Sequence, residues 1–212
     1  MRLNWAERWV VNNPSRVLQQ RLEVAWLRRV LPLKPGAVIL EVGCGRGAGA
    51  ALILRHFRPA VLHAMDLDRE MILRADRHLP AAARRRIAMY TGDTAHLPYR
   101  DQSLDAVFGF GVLHHVPDWQ GALREIARVL RPGAAYYLEE IYPSIYQNFV
   151  TRHILLHPRD NRFFSHHLRE ALAGAGLIAK AVLEAKRVGI LGVFLKAPAG
   201  SSGEEPLRTA VD

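Results

Sequence analysis

The residues best placed to do chemistry begin at Glu41. The run Glu41-Val42-Gly43-Cys44-Gly45-Arg46-Gly47 follows the apolar stretch Val38-Ile39-Leu40, and Gly49 extends the alternation. An apolar run closed by alternating glycines reads as a buried parallel strand, a tight turn and a helix start. Glycine there lets a ligand approach the backbone. Gly43, Gly45 and Ala48 fit the pyrophosphate-gripping fingerprint of dinucleotide folds. A carboxylate two residues before the first glycine argues against that ligand, because it repels a pyrophosphate. It suits one carrying an ammonium or sulfonium group. Cys44, inside the turn, is the only cysteine, so neither an internal disulfide nor a multi-cysteine metal site exists.

Further polar residues follow at spacings that end strands. Asp66 closes Ala60–Met65 and lies 21 positions after Gly45. A carboxylate there accepts hydrogen bonds from ribose hydroxyls. Asp68 is the better cap for a helix over 69–78, which frees Asp66 for the ligand and sets Leu67 and Met71 against an adenine ring. Gly92-Asp93-Thr94-Ala95 follows a third strand, Arg86–Tyr90. Gly109 and Phe110 lie just past a fourth, Leu104–Phe108, in the loop where such sheets bind ligands. His114 and His115 come next, and either can remove a proton from a hydroxyl or an acidic carbon. Adjacent side chains rarely point into one site, so no metal site is expected from the pair.

These motifs, in this order, resemble the class I S-adenosylmethionine-dependent methyltransferases. The resemblance rests on Leu-Glu-Val-Gly-Cys-Gly-Arg-Gly at 40–47, Gly-Asp-Thr-Ala at 92–95 with Leu97-Pro98, Ser103–Phe108, and Leu130-Arg131-Pro132-Gly133. It covers residues 37 to 138 and, more weakly, 165 to 195. It implies S-adenosyl-L-methionine as cofactor and S-adenosyl-L-homocysteine as product. By that likeness Glu41, Gly43, Cys44, Gly45 and Gly47 hold the methionine end and Asp66 the ribose. Gly92, Asp93 and Thr94 hold the adenine. The Asn/Asp-Pro-Pro-Tyr/Phe motif of exocyclic-amine methylation is missing, and no second cysteine serves cytosine-carbon methylation. Leu113-His114-His115-Val116-Pro117-Asp118 is similar to the small-molecule group that includes the ubiquinone and menaquinone C-methyltransferases.

Positioning these residues calls for a Rossmann-like α/β fold: a doubly wound, mostly parallel sheet with an antiparallel last strand. The chain divides into an N-terminal helical cap over 1–33, a methyltransferase domain over 34–196 and a disordered tail over 197–212. In the cap, Leu18, Leu22, Ala25, Trp26 and Val30 recur at helical spacing and are expected to face the core. Trp5 and Trp9 are placed in a substrate pocket. Residues 141–164 form a helical lid insertion, whose Tyr142, Tyr146, Phe149 and His153 would line a pocket for an apolar or aromatic acceptor. Glu139 and Glu140, at the end of the fifth strand, are read as solvated, with orientation of a substrate as the alternative for either. Asp118 and Ser165 are expected to cap helices.

The bulk properties bound the partners. No apolar run reaches a membrane span of ~20 residues, and no secretory signal opens the chain, so a cytoplasmic protein is expected. The net charge of +9 is carried almost wholly by scattered arginines, with clusters at Arg28-Arg29 and Arg84–Arg86. It admits nucleic acid, an anionic membrane surface or an acidic substrate as partner. A small-molecule acceptor is the main expectation. An RNA methyltransferase, a non-catalytic adenosylmethionine-binding scaffold and a nicotinamide dehydrogenase are the rivals. No feature sets the oligomeric state.

Overall fold

A seven-stranded sheet in the order β3-β2-β1-β4-β5-β7-β6 organises the chain in a computed structural model that describes residues 14–146 and 162–198. The strands are β1 (Val38–Val42), β2 (Val61–Asp66), β3 (Ile87–Thr91), β4 (Leu104–Phe110), β5 (Leu130–Ile141), β6 (Leu177–Ala185) and β7 (Gly189–Lys196). Strands β1 to β5 pair in parallel, and β7 runs antiparallel to both β5 and β6. This is the doubly wound sheet with an antiparallel last strand read from the sequence.

The order reverses between β1 and β4, which pair from Ile39↔Ala106 to Val42↔Gly109. Such a reversal opens a crevice beyond the strands' carboxyl ends, where ligands bind in open α/β sheets. Both faces of the sheet are covered, so its central strands are apolar runs rather than alternations.

The helices are α1 (Pro14–Val30), α2 (Ala48–Phe57), α3 (Arg69–His78), α4 (Ala81–Arg84), α5 (Trp119–Val129), α6 (Pro143–Tyr146) and α7 (Ser165–Gly174). One face of the sheet packs against Val24 and Leu27 of α1 and Ile53 and Phe57 of α2. There Phe108 stacks on Tyr137 at 4.2 Å, with Phe57 edge-on to both. The other face packs against Leu123 and Ile126 of α5 and Leu168 and Leu172 of α7.

Asp68 and Asp118 cap their helices as expected, accepting from the backbone N–H groups of Glu70 and Gly121. Three readings are corrected. Ser165 is the first helical residue of α7, and the cap position belongs to Phe164. Leu18 and Leu22 of α1 face outward, while Gln20, Glu23, Val24 and Leu27 face in. Glu139 and Glu140 are buried, not solvated. They alternate across β5, so each must find its own partner on opposite faces of the sheet.

Candidate active site

The turn after β1 is held from below. The Cys44 N–H donates to the Met65 carbonyl and the Gly47 N–H to the Cys44 carbonyl, both at 2.9 Å. Gly45 has φ +53°, and a side chain built on it would meet nothing within 4 Å. The turn thus presents bare backbone to open space, as a ligand cradle requires.

Glu41 is buried beside this turn. It accepts from the Ala50 backbone at the start of α2, and its Oε2 has no hydrogen-bond partner. Burial, and then the nearby Asp66 charge, hold its carboxyl well above the usual range. Gly49 makes room for it: a Cβ there would sit 1.9 Å from Glu41 Oε1. The same point lies 2.9 Å from Gln20 Nε2 of α1. No hydrogen bond joins the buried Gln20 amide to another described residue. Two polar groups from distant parts of the chain therefore converge above the turn. Burial, with Glu41 and Asp66 adding to it, pushes the Cys44 thiol up, so it is an inert wall residue.

Asp66 is more occupied than its sequence reading allowed. Its Oδ2 accepts from the Gly45 N–H and its Oδ1 from the Asp68 N–H, each at 2.9 Å. These bonds lock the glycine turn to the end of β2. A carboxylate offers about four acceptor positions, so capacity for ribose hydroxyls is left. Burial raises its pKa, and the two backbone N–H groups oppose the rise. Leu67 stands exposed beside it, and Met71 is fully buried.

At the next strand end, Asp93 Oδ1 accepts from the Ala95 N–H at 2.9 Å, and Thr94 is buried. Gly92 abuts Met65, whose Cε would lie 2.8 Å from an added Cβ. Gly109 and buried Phe110 close β4, in register with Leu138 and Glu139 of β5. The fully buried Tyr136 directs its hydroxyl to within 2.9 Å of the Cβ position of Gly109, and this hydroxyl has no hydrogen-bond partner.

The two histidines separate in role. His114 is buried on a short 3-10 turn (Leu113–His115), and its Nδ1 lies 2.7 Å from Glu140 Oε2. The other oxygen, Glu140 Oε1, accepts from the N–H groups of Val112 at 2.8 Å and Leu113 at 2.6 Å. Glu140 therefore fixes both the backbone that carries His114 and the ring itself. An ionised Glu140 takes the Nδ1 proton as its hydrogen-bond donor, leaving Nε2 as the basic nitrogen. His115 is half-buried against it, ring centroids 4.1 Å apart.

Glu139, on the opposite face of β5, binds α1. Arg16 reaches it at 2.5 Å and grips Glu23 with bonds of 3.1 and 3.0 Å. Burial pushes the Glu139 carboxyl up to about 8; Arg16 opposes this, while Glu23 and Glu140 add to it. Glu139 Oε2 and His114 Cε1 lie 3.6 and 3.4 Å from the space a side chain on Gly111 would take.

Of the lid residues expected in the acceptor pocket, Tyr142 falls differently from expectation: it is fully buried, and its hydroxyl donates to Glu184 at 2.5 Å. Tyr146 ends α6. Trp5, Trp9, Phe149 and His153 lie outside the described residues. Sequence alone gives Gln20 and Arg16 no site role, and gives Glu139 and Glu140 only the alternative one of orienting a substrate. Arg16 meets Glu139 across 123 residues, Glu140 meets His114 across 26, and Gln20 meets Glu41 from another element, so no local signal pairs them.

Known proteins resemble this chain in sequence and in fold. Residues 40–138 match the family model of a methyltransferase domain. The fatty-acid O-methyltransferase of Mycolicibacterium smegmatis is 37% identical over 108 residues, 51% of this chain and 38% of its own length. The 27-O-demethylrifamycin SV methyltransferase of Amycolatopsis mediterranei is 35% identical over 108 residues, 50% of this chain and 39% of its own length. The chain thus spans about two-fifths of the length of these relatives. A SAM-dependent methyltransferase structure from Aquifex aeolicus shares the fold, with a TM-score of 0.65 and 18% identity over 87% of this chain and 99% of that one.

Proposed function

We propose that the chain is an S-adenosyl-L-methionine-dependent methyltransferase whose acceptor is a small, lipophilic molecule bearing a hydroxyl or carboxyl group. The observation that carries the cofactor is the buried, unpartnered Oε2 of Glu41 beside the open Gly45 backbone. An unsatisfied buried carboxylate oxygen is costly, and an ammonium group offsets that cost. Glu41 and Gln20 take the amino-acid end of the cofactor, and Asp66 takes the ribose. Asp93 and Thr94 take the adenine, with Leu67 against it and Gly109 and Phe110 as a wall. When bound, S-adenosyl-L-methionine supplies a methyl group on positively charged sulfur.

The protein's further contribution is position and one proton. For a hydroxyl acceptor, His114, oriented by Glu140, takes the proton on Nε2 so that the oxygen is anionic as it meets the methyl group; a carboxyl acceptor arrives already ionised and needs only to be positioned. Holding the two reactants in register supplies most of the acceleration. The relatives named for fatty-acid and rifamycin substrates support an oxygen acceptor on an apolar body. Transfer to the acidic ring carbon of a quinol would use the same base.

Calorimetric titration tests the cofactor. S-adenosyl-L-methionine and S-adenosyl-L-homocysteine are expected to bind in the micromolar range and NADH not at all; the reverse order overturns the reading. Fatty acids, phenols and quinols are then screened for methyl transfer. Cofactor binding with no turnover on any acceptor would make the chain a scaffold rather than an enzyme.

A further inference from the structure

Helix α1 is built inside out. Its inner face carries Arg16, Gln20 and Glu23 alongside Val24 and Leu27. Its outer face carries Leu18 and Leu22, 59% and 68% exposed. Ala25, also exposed, continues the same row at helical spacing, and exposed Arg29 ends it. Exposed Arg21 and Arg28 flank the row. The helix has one acidic residue, Glu23, and it faces inward against Arg16. Arg28 also lies near the last turn of α2. Burial and the charges of Arg55 and Arg28 lower the His56 pKa, so cations of both helices share one side.

A helix that only covers a sheet turns its leucines inward and leaves its polar groups in water. Here polar groups face the site beside Val24 and Leu27, and the other two leucines, Leu18 and Leu22, are left outside among arginines. Each partner class meets a different part of this face. Nucleic acid uses the arginines and has no use for two leucines in a row. A second copy of the chain would bring its own Arg21, Arg28 and Arg29 against these, a like-charge contact. An anionic bilayer takes both: phosphate headgroups meet the arginines, and the leucines enter the boundary beneath.

We propose that the outer face of α1 docks the protein on an anionic lipid surface, with Leu18 and Leu22 inserted and Arg21, Arg28 and Arg29 on the headgroups. This holds whether or not the methyl-transfer reading does. Should both hold, the inner face of the docked helix is the roof of the cofactor site, so a lipophilic acceptor enters from the bilayer.

The test is flotation of the full chain with phosphatidylcholine vesicles, with and without phosphatidylglycerol. Flotation is expected only with phosphatidylglycerol, falling as salt is raised. Leu18→Ser with Leu22→Ser is expected to cut the partition coefficient roughly tenfold per leucine. Glutamate at Arg21, Arg28 and Arg29 is expected to lower it by about fivefold or more per site. Both sets change exposed side chains, so melting temperature and adenosylhomocysteine affinity serve as unchanged controls. Absence of flotation, equal flotation on neutral vesicles, or wild-type flotation of the leucine variant overturns the proposal. So does a dimer mass in sedimentation that the leucine variant loses, which would assign the face to a second copy. RNA retention lost by the arginine variant while vesicle flotation persists would assign it to nucleic acid.

Discussion

His114 and Glu140 form the one buried histidine–carboxylate pair among the described residues, and their roles predict different losses. His114→Ala removes the proton acceptor and is expected to lower kcat on a hydroxyl acceptor by about 10²- to 10⁴-fold with adenosylmethionine affinity unchanged. Glu140→Gln keeps the shape but offers an amide to the ring, freeing the wrong tautomer; a loss of at least about tenfold in kcat is expected. Wild-type activity of His114→Ala in a steady-state methyl-transfer assay would remove the base from the mechanism. The convergence of Gln20 and Glu41 gives a second prediction. Gln20→Ala and Glu41→Gln are each expected to weaken adenosylhomocysteine binding roughly tenfold or more, the scale of one charge-assisted hydrogen bond. Methylthioadenosine, which lacks the amino-acid group, is expected to bind both variants as it binds the wild type. Equal weakening of both ligands would place the two residues elsewhere in the crevice. Glu41, Asp66 and Asp93 stand out in the sequence because each lies at or just past a strand end, Glu41 two residues before Gly43 and Asp93 directly after Gly92. Glu140 is not, because its partner is 26 residues away and the strand's end looks the same whether it meets water or a histidine.

At the scale of the element, α1 is where periodicity misleads. Leu18, Leu22, Ala25 and Trp26 share a helical stripe, and the spacing identifies a face without saying which way it points. Direction is set by Arg16, whose partner Glu139 is 123 residues away, and by Gln20 above the glycine turn. The Tyr137 hydroxyl, donating to the Leu31 carbonyl at 2.7 Å, fixes the other end of the helix. The parallel strands are easier to read, because apolar runs bounded by glycine and proline mark buried strands wherever they occur. The Arg16–Glu139 contact makes the helix's anchorage depend on pH. Folded Glu139 keeps its proton up to about 8, against an ordinary value of 4.5, so between those limits the native state binds more protons than the unfolded one. Stability therefore declines as pH rises through that window. Glu139→Gln is expected to flatten this slope in urea unfolding measured from pH 5 to pH 8.5. Arg16→Met leaves Glu139 and Glu23 without their cation and is expected to cost about 3 kcal/mol above pH 8, and less at pH 6 where Glu139 is protonated. An equal cost at both pH values would mean that Arg16 acts by packing alone.

For the whole molecule, the charge is divided between inside and outside. The chain carries +9 overall, yet its buried polar residues include Glu23, Glu41, Glu139 and Glu140, with Asp66 largely enclosed as well. Arg16 is the cation that meets two of them, and His114 meets a third. An interior with surplus carboxylates favours a cationic ligand and holds protons until one arrives. Glu41 illustrates the coupling: burial and Asp66 keep its carboxyl well above the usual range, and an ammonium beside it reverses the preference. Binding therefore shifts Glu41 toward its ionised form and releases protons, so affinity rises with pH. Titration of adenosylhomocysteine over a series of pH values, in buffers of different ionisation enthalpy, is expected to show net proton release. Glu41→Gln is expected to abolish that release, and methylthioadenosine to show none even with the wild type. Release that persists undiminished in Glu41→Gln would move the proton to another carboxyl of the same interior, with Glu139, held at about 8, the next candidate for the same variant series.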